Sequence, residues 1–393
     1  MRLRPALLGS LAALGLLLTG CGGDPSSLPR AADSHHTGAA VASSSSTPSK
    51  AAPAPALRKG ERYLEIRMDK PYTPPIPEAG TDEYRCFLMD PKLAKDTLIT
   101  GTDFLPANPA LVHHVILYRV DAAKVAIAKD LDAAQPGDGW TCFGSSGVEG
   151  AQIGATLTDA PWLGAWAPGG TERVMGKGVG VPVGKGTQIV MQIHYNLAAG
   201  TGADQSAVKL RLANDDGTYK ALKTMLMPAP VELECREGKR GGLCYRDMSL
   251  AETKARFGAA GATGDLLHLL CGPLKAGPAQ SCTRPVQEPM VIRAAAGHMH
   301  LLGRSINVVA NKGTDREQTI LDIPTWDFDN QGSIPVPEPV KLTTKDTLTV
   351  TCTHDQALRD VLPAFANKPE RYVLWGEGTT DEMCLGIVLY TDN

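Results

Sequence analysis

Five of the nine histidines fall in three short apolar contexts: His113-His114 in LVHHVILY, His194 in MQIHYN, and His298 and His300 in GHMHLLG. Neutral imidazole is a common metal ligand and suits copper, zinc, iron and nickel. On a strand, residues i and i+2 share a face, so His298 and His300 reach one ion together. The plainer alternative is a pair of half-buried, hydrogen-bonded strand histidines. His113 and His114 are neighbours, and a regular strand points neighbours to opposite faces. Both reach one ion only where the backbone bends, at a bulge or a strand start; otherwise one ring is buried and the other exposed. His194 needs partners from elsewhere in the chain. Near the C-terminus, WGEGTTDEMCLG sets Met383 beside Cys384. A disulfide at Cys384 would fix the backbone and hold the thioether in place; a plain core methionine is the alternative. Spacing alone does not join these residues into one site.

The chain that must position them has 393 residues, a length that allows two to three domains. Residues 1–20 read as an export signal: Arg2 and Arg4 precede an apolar run, Ala6 to Leu18, too short for a stable membrane span. Leu18-Thr19-Gly20-Cys21 matches a bacterial lipobox, so Cys21 is expected to become the lipidated N-terminus. Gly22 stands where an aspartate would retain the lipoprotein at the inner membrane, which favours the outer membrane. Residues 21–58, with Ser43 to Ser46 in a row, are too polar and small to form a core and are expected to be a disordered tether. Such a chain has a root-mean-square reach of about 35 Å. His35-His36 lies in it, with nothing to fix the ring geometry.

The remaining cysteines are eight: Cys86, Cys142, Cys235, Cys244, Cys271, Cys282, Cys352 and Cys384. An even number in an exported chain implies four disulfides. No pair is spaced C-x-x-C, which argues against a zinc ribbon, a thioredoxin motif and haem attachment. The net charge of −3, or −5 once Arg2 and Arg4 leave with the signal, gives no electrostatic case for nucleic acid. The glycine-rich stretch from Gly176 to Gly186 lacks the phosphate-loop pattern and runs into a strand.

After residue 58, short β-branched runs alternate with turns. Tyr63–Met68, Val112–Val120, Thr187–Tyr195, Val208–Leu212, Val291–Ala296, Ile306–Ala310 and Leu348–Cys352 read as strands. Trp326 and Phe328, alternating with Asp327 and Asp329, read as one more core strand. Two patches read as helical, Ser249 to Phe257, with Ser249 as cap, and Gly264 to Leu270. They form an insertion between Cys244 and Cys271. Nested pairing of Cys244 with Cys271 and Cys235 with Cys282 would close it, and the other two connectivities stay open. His268 reads as a partly buried structural residue, His354 as a turn residue, and Asp381-Glu382 as loop anchors.

Taken in order, LEIRMDKPYTPP, DEYRCFLMD, LVHHVILYRV, GWTCFG, KGVGVPVGKGTQIVMQIHYN, GHMHLLGR and TTDEMCLGIVLY resemble the copper type II ascorbate-dependent monooxygenases. The resemblance spans roughly residues 61–390. It implies an all-β chain of two consecutive antiparallel jelly-roll-like sandwiches, residues 59–215 and 216–393, with the helical insertion in the second. It implies two coppers per chain, one on His113, His114 and His194, the other on His298, His300 and Met383. A thioether favours Cu(I), the state that meets O2. By resemblance the Met383 centre is where O2 meets a substrate C–H bond, and the histidine-only centre supplies the second electron. Ascorbate or another one-electron reductant reloads both. Gln192 would orient a water or substrate near the first copper, or be a strand-paired amide. Tyr84 would donate a hydrogen bond behind a ligand. Cys86 with Cys142, and Cys352 with Cys384, match family disulfides, and Cys282 must pair differently from its family counterpart.

The departures bear on substrate. The peptide-amidating branch has an arginine where this chain has Ala296, and an asparagine and a tyrosine where it has Leu385 and Ile387. Losing an Arg–carboxylate pair removes charge-assisted recognition. The expected substrate is therefore a small neutral or apolar molecule, not a peptidyl-glycine. Two other classes remain: a copper-buffering lipoprotein of the cell envelope, and a binding module whose histidines are structural.

Overall fold

Alternation of buried and exposed positions builds two β-sandwiches from antiparallel strands. The computed structural model describes residues 54–77, 80–149 and 157–393. The expected signal, Cys21, most of the tether and His35-His36 lie outside the described residues. No helix among the described residues is long and apolar enough to cross a membrane.

The first sandwich has a five-stranded sheet in the order Trp140–Thr141, Asp82–Met89, Gln188–Asn196, Val112–Val120 and Trp162–Trp166. It faces strands Arg62–Arg67, Ala207–Asn214, Thr97–Leu105 and Val179–Val183. Between them lie Ile99, Leu117, Met191, Ile193, Val208, Leu210 and Leu212, all nearly or wholly buried. Gln188–Asn196 is buried along both faces apart from its ends. Ile189, Met191, Ile193 and Tyr195 point into the sandwich. The alternate set, Val190, Gln192 and His194, lies on the outer face of the sheet, where Val190 packs with Cys86, Tyr118, Trp140 and Cys142. A helix not anticipated from the sequence, Val125–Ala133, covers part of that face with Ala128.

The second sandwich pairs Lys220–Pro228, Leu385–Asp392, Met290–His298 and Ile334–Leu342 against Ala279–Pro285, Thr347–His354, Gly303–Ala310 and Gln318–Ile323. The two sandwiches share a sheet. Lys220 and Ala221 pair in parallel with Val179 and Gly180, so one sheet runs through both. Ala294 and Leu389 of the second half pack into the core of the first.

Two local expectations are corrected. Trp326 and Phe328 stand in the loop after Gln318–Ile323, not on a core strand. Trp326 still packs on the second core, while Phe328 turns toward the histidines. The first inserted helix runs Arg246–Phe257, so Ser249 lies inside it and is no cap. Its hydroxyl donates to the Tyr372 carbonyl at 2.6 Å and accepts from Arg371, long-range bonds that outweigh the local capping signal. The second helix, Thr263–Cys271, agrees with expectation.

The disulfides Cys86–Cys142 and Cys352–Cys384 are formed as the resemblance implied. The nested pairing is not: Cys235 joins Cys244, and Cys271 joins Cys282. The helices do not bring their two ends together. Each end is stapled to what it leaves or meets, the first across 9 residues and the second to strand Ala279–Pro285. Proteolytic mapping under non-reducing conditions is expected to link Cys235 with Cys244 and Cys271 with Cys282; a peptide joining Cys244 to Cys271 would overturn this pairing. Replacing both Cys271 and Cys282 by serine should cost about 2–4 kcal/mol of stability.

Candidate metal centre

The bulge that the His113-His114 pair requires is present. In the ladder between Val112–Val120 and Gln188–Asn196, Val112 pairs with Tyr195 and His114 with His194, and the register shifts between them. His113 is thus the extra residue, and the bend turns both rings toward one point. His194 meets them from the neighbouring strand. The three Nδ1 atoms lie 3.3, 3.3 and 3.2 Å from one another. A point equidistant from all three is about 1.9 Å from each, close to a metal–imidazole bond length.

Three ring nitrogens in mutual contact cannot all be satisfied by protons, because each N–H serves one acceptor. One cation at that common point would satisfy all three. Burial, with His194 and His298 nearby, pushes His113 down to about 3, and burial holds His114 well below its ordinary value. Both rings are therefore neutral and keep lone pairs for a ligand role. The Nε2 of His113 is buried without a partner.

Behind this triad stands Asp82, which sequence reasoning missed. Its Oδ1 is 2.9 Å from His194 Nε2, and its Oδ2 accepts from the Thr379 backbone N–H at 3.2 Å. Burial works against its ionisation, yet the bonds from His194 and Thr379 hold the carboxyl down at about 2. The available signal was its place two residues before Tyr84, on the same strand face. Tyr84 stacks on His194 with ring centres 4.1 Å apart and planes 8° from parallel. Its hydroxyl donates to the Glu377 carbonyl at 2.6 Å, so its hydrogen bond serves a loop of the second sandwich and not a ligand. Gln192 sits deeper, its amide placed between Tyr118 and Cys142.

His298 ends strand Met290–His298, and His300 follows it, their rings 5.2 Å apart. Burial lowers His298 to about 4 and His300 well below its ordinary value. Gln331 accepts at 2.7 Å from His298 Nδ1, which leaves Nε2 as the free nitrogen of that ring. His300 Nδ1 is buried and unpartnered. The Glu382 carboxylate, fully buried, accepts from the backbone N–H groups of His300 and Leu302 at 3.1 and 2.5 Å. Met383 is therefore next in chain to the residue gripping the His300 turn. Two residues further, Leu385 pairs with His298. The methionine is buried with Trp375 and with Leu267 of the inserted helix.

The other titratable side chains singled out in the sequence have simpler roles. His354 is buried at the end of strand Thr347–His354, not in a turn, and its Nε2 lies 3.3 Å from the Met383 carbonyl and from Glu382. His268 is tied to Glu232 at 2.7 Å, a structural role as expected. Asp381 is bound by Arg256 and the Gly378 N–H, and with Glu382 it anchors the loop.

The two histidine groups adjoin. The rings of His114 and His298 are 5.7 Å apart, and Phe328 stacks on His113 at 4.5 Å while meeting His300 edge-on at 6.4 Å. No periodicity marks Phe328 or Gln331 as site residues, because both sit in a loop.

Glu377, buried beside Gly144, is raised to about 7 by burial and then by Asp381. The folded chain thus holds a proton there between about pH 4.5 and 7 that the unfolded chain releases. That contribution to stability is full below pH 4.5 and is lost as pH rises through 7. Glu377→Gln is expected to raise stability at pH 8 relative to pH 5 by roughly 1–3 kcal/mol, read by denaturant unfolding at both values. An unchanged difference would exclude titration of Glu377.

Comparison with known proteins bears on the second ligand set. No curated protein sequence matches the chain. Among solved structures, the major capsid protein P2 of bacteriophage PM2 aligns over 84% of this chain and 97% of its own, at 12% identity and a TM-score of 0.31. Allantoicase from Saccharomyces cerevisiae aligns over 80% and 79%, at 8% identity and 0.20. A fucolectin from striped bass (Morone saxatilis) serum aligns over 80% and 84%, at 7% identity and 0.20. Likenesses this weak decide nothing about fold or site. Residues 278–393, which carry His298, His300 and Met383, match the family model of the copper type II ascorbate-dependent monooxygenase C-terminal domain.

Proposed function

We propose that this protein is a copper-dependent monooxygenase that hydroxylates a C–H bond of a small neutral or apolar molecule, using O2 and an external one-electron reductant such as ascorbate. One observation carries the metal part: three Nδ1 atoms lie within 3.3 Å of one another, two of them on a strand that bulges at His113 and the third on the strand beside it. The family match of residues 278–393 supports copper and the reaction class. His113, His114 and His194 would hold one copper, and His298, His300 and Met383 the other. Copper, when bound, supplies the one-electron chemistry by which O2 reacts with a C–H bond.

The chain's own residues do the rest. Burial keeps the imidazoles of His113, His114, His298 and His300 neutral, so no proton competes for their lone pairs. Gln331 sets the ring of His298, and Glu382 fixes the His300 turn. Beside His298 the two paired strands present Ala296, Leu385 and Ile387 on one half-buried face, with Ala296 opposite Ile387 and His298 opposite Leu385. A floor of these three side chains offers contact area and no charge to a substrate. It supports a neutral or apolar molecule over a peptide carboxylate, whose burial without a partner is costly.

We further read the protein as lipid-anchored through Cys21 in the bacterial envelope, on the outer membrane where one exists, with the tether giving reach to the sandwiches.

Copper loading is expected to give two ions per chain, and one in His298→Ala or Met383→Ala. Loaded protein with ascorbate and O2 should add 16 Da to a molecule in envelope extracts and should leave peptidyl-glycine unamidated. Reductant-dependent O2 uptake that no extract stimulates would sink hydroxylation in favour of copper buffering. Absence of bound copper would leave only a binding module with structural histidines.

A further inference from the structure

We propose that Asp82 is a positioning residue shared by both ligand sets: its carboxylate fixes the ring of His194 and, through Thr379, clamps the segment leading to Met383 against it. The proposal rests on the metal role given above to the three histidines.

An ionised carboxylate only accepts hydrogen bonds. With Oδ1 at 2.9 Å, Asp82 therefore assigns the proton of His194 to Nε2 and leaves the Nδ1 lone pair facing His113 and His114. The ring cannot turn away, because Tyr84 stacks along its face. Both restraints are fastened to one stretch of the second sandwich. Thr379 donates its backbone N–H to Asp82 Oδ2 and its hydroxyl to Oδ1, and the Glu377 carbonyl accepts from Tyr84. That stretch ends at Met383 and is held at its far side by Glu382 on the His300 turn. A displacement of residues 377–383 therefore pulls on His194, and a displacement of His194 pulls on the Met383 segment. The consequence is that metal binding by the first histidine set depends on a residue of the second sandwich that acts through Asp82, Thr379.

The test uses the full chain with copper alone as the probe. Cu(I) affinity is measured by competition with a chromogenic chelator, the Cu(II) form by electron paramagnetic resonance, and the His194 tautomer by 15N shifts of the metal-free protein. Asp82→Asn is expected to weaken one of the two coppers about 10–100-fold, change its spectrum and leave the other alone. Thr379→Val, which keeps the carboxylate, should weaken the same copper in the same direction by a smaller factor and loosen the tautomer preference. Thermal melting of both variants separates these effects from loss of fold. Wild-type affinity, spectrum and tautomer in Asp82→Asn, or no effect of Thr379→Val, would overturn the proposal. A wild type that holds two coppers but hydroxylates nothing defeats the proposed activity and leaves Asp82 its role. A wild type with no copper on the triad defeats both.

Discussion

The geometry of the candidate centre depends on a single backbone irregularity. A strand alternates its side chains with a period of two, so adjacent histidines diverge by default. One unpaired residue between Val112 and His114 cancels that alternation locally and points both rings outward from the sheet. The neighbouring central strand then supplies His194 directly opposite His114. The bulge gives up regular ladder pairing at one residue, and it is sustained because both flanking strands are locked into the core by Leu117, Met191 and Ile193. Burial completes the effect by keeping the rings of His113 and His114 neutral.

Next to the triad's supports Tyr84 and Asp82 runs an unusually acidic segment for a buried place. Glu377, Asp381 and Glu382 are all nearly or wholly inaccessible. Buried carboxylates persist where hydrogen bonds or cations satisfy them. Glu382 meets this need with two backbone N–H groups, and Asp381 with Arg256. Glu377, through its burial and then the charge of Asp381, meets it by holding its proton to higher pH. The disulfide from Cys384 to Cys352 ties the end of the segment to its own sandwich. The shared sheet and the packing of Ala294 and Leu389 into the first core make the two halves a mechanical unit. Contacts across them, such as Tyr84 on Glu377, are thus set by the fold and not by chance approach.

The family match and the geometry support different halves of the functional reading. The match covers only residues 278–393 and so speaks to His298, His300 and Met383. For His113, His114 and His194 the warrant is the convergence of three nitrogens at bonding distances from a common point. The two lines meet where the rings of His114 and His298 adjoin.

The strands were legible because β-branched alternation is a local property: each β-branched run read from the sequence overlaps an observed strand, and the one expected strand that is not formed, at Trp326 and Phe328, rests on aromatic alternation in a loop. The requirement for a bulge was legible too, since it follows from two adjacent histidines and a period of two. The helical insertion was legible in place, but its cap was misread because Ser249 bonds to residues over 120 positions away. By itself the sequence determined the strand periodicity, the supply of imidazole and thioether groups, and an even set of cysteines. Only the tertiary structure decided which ring nitrogens converge, how the four cysteines around the insertion pair, and that Asp82, Phe328, Gln331 and Thr379 stand around the site. Those outcomes depend on register and on close approach between residues tens to hundreds apart in the chain, and periodicity carries no record of either.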